Sequence, residues 1–367
     1  MMTSFYRADV IGSLLRPSYL KEAQQSCKAA RITTAEYKRI EDRAVDAAIA
    51  TQEGAGVDVV TDGEMRRGHF VSPLTDVIEG AHRVDAKTRW RRAEGGKEKE
   101  DDIPIIRYAL SGRIRRIRSL AGEEFAYARG RARRPLKVTL PSPLLMVISW
   151  SPSLREYPDP YKLVADAADI IREEVRELAG MGCEYIQIDA PELTMMMSGG
   201  AAGQEIVPQG GGPERMLTEG VEIINSLADV PGVTFGLHIC RGNNQGYYMT
   251  AGGYESLSEQ VFKRATRFHI FLLEYDDFRS GSFEPLRDLP SDKRVVLGLV
   301  STKSSELEPA DALVKRVEEA SRYFPREQMA LSTQCGFAST WEGNPVSEQT
   351  QAAKLKLVAD VAHRLWQ

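Results

Sequence analysis

The stretch VTFGLHICRGNNQG, Val233 to Gly246, decides the fold. A short run suited to a pleated, buried environment ends in His238, Ile239 and Cys240 and then in a glycine-bearing turn. Strands buried on both faces read as brief apolar runs. A histidine and a cysteine at the C-terminal end of such a strand lie where a parallel sheet presents its functional groups. Seven more runs rich in Val, Ile, Leu and Thr occur on either side, so that the series occupies 8–12, 57–61, 136–140, 185–188, 233–237, 270–273, 295–299 and 329–332. Most are followed by a segment of helical periodicity. In 159–181, Leu163, Val164, Ala167, Ile170, Ile171, Val175 and Leu178 recur at three- and four-residue spacing, and Gly182 supplies a stop. Similar patterns cover 258–268, 310–323 and 347–366. Parallel neighbours need crossovers, so the series predicts an α/β protein, a (β/α)8 TIM barrel forming one catalytic domain over residues 1–367.

A chain of 367 residues can bury a core of that size. Its formal net charge of −4 gives no global attraction for nucleic acid, and no stretch approaches the ~18 apolar residues of a membrane span. The opening MMTSFYRADV has neither the basic nor the apolar region of a leader; a cytoplasmic location is expected. Four cysteines in so long a chain make no disulfide framework, so each is a buried small hydrophobe or a metal ligand. Cys183, after a Met-Gly turn, reads as core, and Cys27 as incidental on a polar helix.

One stretch breaks the series. Between Arg83 and Lys137 there are 17 Lys and Arg against 8 Asp and Glu. Its centre, GGKEKEDD, reads as an exposed loop, and the alternation after it as paired strands. A basic β-hairpin inserted between strands 2 and 3, within 83–135, is therefore expected. Its ordinary readings are a solvated surface hairpin or a contact in a homo-oligomer; the sharper one is a basic lid that attracts an anionic substrate. Trp90, Tyr108, Phe125 and Tyr127 are too scattered to stack bases.

Polar residues collect where the strands end: Ser13, Glu64, Ser142, Asp189 with Glu192, His238, Cys240, Glu274 and Cys335. His238 and Cys240 are two apart, and in extended chain such residues point to the same side. With Glu274 and Cys335 they form an N, S, O, S ligand set. Zinc takes imidazole nitrogen at about 2.0–2.1 Å, thiolate at about 2.3 Å and carboxylate oxygen at about 2.0–2.2 Å, and soft thiolates disfavour magnesium and calcium. An incoming thiol would displace the hardest ligand, Glu274 or a water, and lose its proton on coordination. Such a site suits the activation of a thiol for attack on an alkyl group. His69, His82, His269 and His363 have no such partners and read as surface or satisfied core.

Through RADVIGSLLRP, VVTDGEMRRG, IQIDAPE, GLHICRGNNQG, FLLEYDD, VVLGLVSTKSSELE and LSTQCGFAS the chain resembles the catalytic C-terminal barrel of cobalamin-independent methionine synthase, and more closely the stand-alone single-barrel members of that family. The likeness covers essentially the whole chain. It implies Zn2+ on His238, Cys240, Glu274 and Cys335, and homocysteine held by Ser13, Glu64 and Asp189. Glu64 and Asp189, the implied catalytic residues, would take the α-amino group; the Ser13 hydroxyl and a backbone N–H would take the α-carboxylate. There are two departures. Nothing here supplies the second barrel of the long synthase, and Val300 stands where that synthase carries a histidine. The implied donor is accordingly a methyl-folate or a methylated corrinoid protein. A related branch opens epoxides with coenzyme M, whose sulfonate calls for cations; Arg16, Arg66 and Arg67 fit that reading, whereas Glu64 and Asp189 favour homocysteine. A porphyrinogen-decarboxylase-like enzyme would share the barrel without needing the ligand set, and a noncatalytic zinc-holding protein would keep the ligands under a closed pocket.

Overall fold

Short runs buried at nearly every position form the centre of the computed structural model, which describes residues 5–94, 97–195 and 212–366. Eight strands form among these residues. Two long ones, β1 (Ile78–Glu94) and β2 (Lys97–Arg116), pair with each other as an antiparallel ribbon. Six short ones, β3 (Lys137–Pro141), β4 (Tyr185–Asp189), β5 (Thr234–Ile239), β6 (Ile270–Glu274), β7 (Arg294–Val300) and β8 (Met329–Thr333), pair in sequence order as one parallel sheet. Their register sets the functional ends side by side, with Asp189 opposite His238 and Glu274 opposite Gly298.

Both edges of the sheet are met by shorter segments. Ala8 makes a parallel bridge to Leu331 of β8, and Val60 makes one to Leu136, just ahead of β3. These two segments meet each other where the Asp58 N–H donates to the Ala8 carbonyl at 2.9 Å. A small apolar cluster draws Ile11 and Val59 from them and Tyr185, Leu272, Val296 and Ala330 from the sheet. The fully buried Lys137 ammonium pairs with Asp9 at 2.8 Å.

Helices cover the sheet through apolar stripes. The helix Pro160–Gly180 starts where the Asp159 carboxylate accepts from the Tyr161 N–H, and it buries Leu163, Val164, Ala167, Ile171, Val175 and Leu178. Thr34–Ala55 opens on a reciprocal Thr33 and Glu36 capping box. Ala310–Ala320 and Glu348–Trp366 lie within the stretches whose periodicity marks them. The pattern over 258–268 gives something shorter: Ser258–Phe262 is wound as a π-helix. The chain then leaves it, because Asn225 takes the Arg267 N–H at 2.9 Å and donates to the Thr266 hydroxyl at 3.3 Å.

The ribbon differs in extent from the sequence expectation. It begins at Ile78 and ends at Arg116, and Lys97 to Asp102 of the supposed loop are strand. Their acids have partners across the ribbon, Glu100 with Arg91 at 3.0 Å and Asp102 with Arg89 at 3.1 Å, so this part of the chain pairs rather than loops. Farther on, Ala121–Arg129 is a helix, since Phe125 and Ala128 enter the core on one face. The surplus of positive charge is met by acids of the covering helices: Arg113 with Asp166, Arg116 with Glu174 and Glu177, and Arg131 with Asp46. A bulge at Gly80 sets the ribbon's direction. Its φ is +83°, and a Cβ there would lie 2.7 Å from the Arg113 carbonyl oxygen.

Candidate metal centre and substrate pocket

His238 sits on the last turn of pleat in β5, Cys240 just beyond it, and Cys335 two residues past β8. Their ligand atoms all lie within 4.8 Å of one another, and all three side chains are buried. The Nδ1 of His238 stands 3.1 Å from the Leu272 carbonyl oxygen. A carbonyl can only accept, so Nδ1 carries the proton and Nε2 keeps its lone pair. That Nε2 is buried with no hydrogen-bond partner. Hydrogen bonding between the two thiols and the nearby imidazole pull the Cys335 thiol well below its usual range, and the same contact, with burial, pushes Cys240 up. Ligands of a tetrahedral zinc stand about 3.5–3.8 Å apart by ordinary bond lengths. An orphaned imidazole nitrogen between two soft sulfurs fits that cation.

Glu274, at the end of β6, is fully buried but not part of the three-residue cluster. Its carboxylate accepts from the Arg241 N–H at 2.7 Å, from Lys303 at 2.9 Å and from Arg279 at 3.3 Å. Burial alone would raise its pKa; Lys303, Arg279 and Arg241 outweigh it and bring the value down to about 2. Three of the four expected ligands thus converge, and the fourth is held on cations next door.

A cavity of about 150 Å³ opens over this cluster. Ser13, Glu64 and Asp189 line it together with His238, Cys240 and Cys335. Glu64 has φ +55°, a left-handed conformation that non-glycine residues seldom adopt. The Thr139 hydroxyl donates to its Oε1 at 2.8 Å, while Oε2 is buried and unpartnered. Burial, against the pull of Arg67 and Arg16, raises the Glu64 pKa. Asp189 accepts from the Gln187 side-chain N–H at 2.7 Å, and Lys137 donates to the other end of that amide at 2.7 Å, which fixes which way it faces. Burial lifts the Asp189 carboxyl to about 7. The Ser13 hydroxyl accepts weakly from the Ala338 N–H at 3.4 Å. Two desolvated carboxyls with an unfilled acceptor are suited to an ammonium group.

The far wall was legible in the sequence only as the lid reading of the basic insertion, without the residues that form it. Trp90, Ile105, Arg107 and Tyr108 of the ribbon line the cavity, as do Phe70 and Met146. His69, read above as surface or core, also lines it, and burial takes its pKa down to about 4, so it is neutral. The ribbon is held over the cavity by two backbone bonds, Arg91 N–H to the Tyr248 carbonyl at 2.9 Å and Tyr248 N–H to the Arg91 carbonyl at 2.8 Å. Tyr247 adds a bond to Asp101 at 2.7 Å. The local hint at those residues was the alternation of Ile103, Ile105 and Arg107 on one face of an extended chain. Arg16, Arg66 and Arg67 do not line the cavity. Arg16 is spent on the carbonyls of Ala338, Glu64 and Arg67, Arg66 on Asp42, and Arg67 on Glu124 and Thr139. Ser142 and Glu192 are buried outside the wall, and burial raises the Glu192 carboxyl to about 8. Cys183 is core, its thiol donating to the Tyr185 carbonyl at 3.4 Å.

Residues 6–364 match the family model of the cobalamin-independent synthase catalytic domain. The chain belongs to that family. Among relatives of this synthase-family chain, the uncharacterized protein YxjG of Bacillus subtilis (strain 168) is 34% identical over 376 residues, covering 98% of this chain and 95% of that protein. The methionine synthase of Pyrococcus abyssi is 26% identical over 328 residues, covering 89% and 85%. A solved structure from Listeria monocytogenes, described as a candidate vitamin-B12 independent methionine synthase, superposes with a TM-score of 0.75 at 26% identity over 100% of this chain and 99% of that one. A B12-independent methionine synthase from Shewanella sp. W3-18-1 shares the fold, with a TM-score of 0.74 at 20% identity over 98% of each chain. The motifs IQIDAPE, GLHICRGNNQG and LSTQCGFAS, on which the family likeness rests in this sequence, end in side chains that meet at the cavity floor.

Proposed function

We propose that this chain is a zinc-dependent methyltransferase that alkylates the thiol of homocysteine to give methionine. One observation carries the reading: a soft three-ligand cluster and two desolvated carboxyls share one cavity floor. His238, Cys240 and Cys335 would hold the ion, with Glu274 as the fourth ligand when its carboxylate leaves Lys303 and Arg279. A zinc ion bound there supplies the positive charge that lets a thiol ionise near neutral pH. Glu64 and Asp189 receive the ammonium of the amino acid, and Ser13 its carboxylate. The ribbon excludes water above the sulfur, so that orientation and desolvation are the protein's own share of the barrier lowering.

The same reading takes 8–12 and 57–61 as the first two staves of an eight-stranded (β/α)8 TIM barrel. The chain 1–367 is then a single domain, with the insertion within 83–135 carrying most of the ribbon. No helix among the described residues is long and apolar enough to cross a membrane. All four cysteines are free, which suits the reducing cytoplasm. Methyl-folate and a methylated corrinoid are the donors to compare. The test is methionine formation from homocysteine with methyltetrahydrofolate and, separately, with methylcobalamin. Turnover with either that disappears on removal of zinc supports the reading; turnover of an epoxide with coenzyme M, and none of homocysteine, overturns it.

A further inference from the structure

The buried polar atoms that the cavity-lining residues leave without partners fall into two chemical classes, divided by the element that bears them. Glu64 Oε2 and His238 Nε2, on the cavity floor, are acceptors. Trp90 Nε1 and Arg107 Nε, on the ribbon, are donors. A buried donor left unpaired is costly; the two lie six residues apart along the ribbon, so each marks a separate place that an acceptor completes. Arg107 also differs from its neighbours in charge pairing. Arg89, Arg91, Arg113, Arg115 and Arg116 of the ribbon each face a carboxylate. The side chain of Arg107, opposite Val84 in the register, has no hydrogen bond or ion pair among the described residues. Of the other basic residues lining the cavity, His69 is neutral, and Arg241 is committed to the carbonyls of Gly252 and Glu274. Phe70, Leu74, Ile105 and Met146 give the same wall an apolar surface.

We propose that Arg107 is the specificity-determining anion receptor for the alkyl donor, which is a free small molecule with an apolar or planar body and an anionic end. This rests on the reading of the floor as the thiol site: carboxyls there select an ammonium, so the donor's anion belongs to the ribbon. The ribbon then takes over, within one chain, the task of recognising the second substrate.

The test is calorimetric titration of the zinc-loaded full chain with 5-methyltetrahydrofolate and with its dimethyl ester, in which both glutamate carboxyls are neutral. Wild type is expected to bind the acid about tenfold or more tightly than the ester, as for one charge-assisted contact. Arg107→Gln binds the two alike, and Arg107→Lys recovers part of the preference because it keeps the charge and loses the fork. Homocysteine affinity is unchanged in Arg107→Gln. The proposal is overturned by an undiminished preference for the acid in Arg107→Gln, by no preference in wild type, or by an equal loss of homocysteine binding. An Arg107-dependent preference in a protein that makes no methionine sinks the homocysteine reading and leaves the ribbon's role standing. Methionine made by Arg107→Gln at the wild-type rate and donor KM, with methyltetrahydrofolate or with a corrinoid protein, sinks the ribbon's role alone.

Discussion

The floor and the far wall of the cavity are built by opposite means. Asp189, His238, Cys240 and Cys335 of the floor sit at or just past the ends of strands five or six residues long, and the parallel register that sets Asp189 against His238 fixes them relative to one another. Wall residues ride on a ribbon of 17- and 20-residue strands that is tied to the loop after Cys240 by one pair of backbone bonds and a few side chains. Side chains on a buried sheet hold reacting groups to a fraction of an ångström, whereas an appended ribbon can change its residues without disturbing them. On the proposed function, chemistry and selectivity would be carried by separable parts of one chain.

The largest effect expected is at the floor. Cys240→Ser and Cys335→Ser should each lower zinc from about one per chain to below about 0.1 and methionine formation by at least ~10³-fold, with the ribbon unaffected; full zinc in both variants breaks the assignment. Asp189→Asn should raise the KM for homocysteine about 10- to 100-fold while leaving zinc content intact, as for one lost charge-assisted bond. An unchanged KM would place the ammonium elsewhere. At the wall, Trp90→Ala removes a buried ring packed on Ile103 and Tyr247. It should lower the free energy of opening the ribbon by about 3 kcal/mol, read as faster hydrogen exchange at the Arg91 and Tyr248 amides. Equal loss of protection in β5 would mean that floor and wall unfold as one unit.

The remaining effect concerns pH and leaves both floor and wall in place. Burial lifts Glu192 from 4.5 to about 8, so the folded chain keeps a proton that the unfolded chain releases. Its contribution to stability is full below pH 4.5 and drains away as the pH rises to about 8. Glu192→Gln, neutral throughout, should flatten that part of the fall in urea midpoint with pH. The same slope in wild type and variant would show that the side chain is solvated.

The sequence by itself determined the sheet and most of its floor. Short apolar runs ending in Asp189, His238 and Cys240 can be read without knowing what lies opposite, because burial on both faces and position at a strand end are local properties. Cys335, just beyond its strand, follows the same logic. Only the tertiary structure decided that Glu274 rests on Lys303 and Arg279 and outside the cluster, and that Arg16, Arg66 and Arg67 are bound elsewhere. It also decided that His69, Trp90 and Arg107 face the site. Trp90 and Arg107 reach a cavity whose ligands lie more than a hundred residues on because the ribbon bulges at Gly80 and docks on Tyr248 through backbone bonds. A backbone bond can be made by almost any residue type, and so leaves no mark in the sequence.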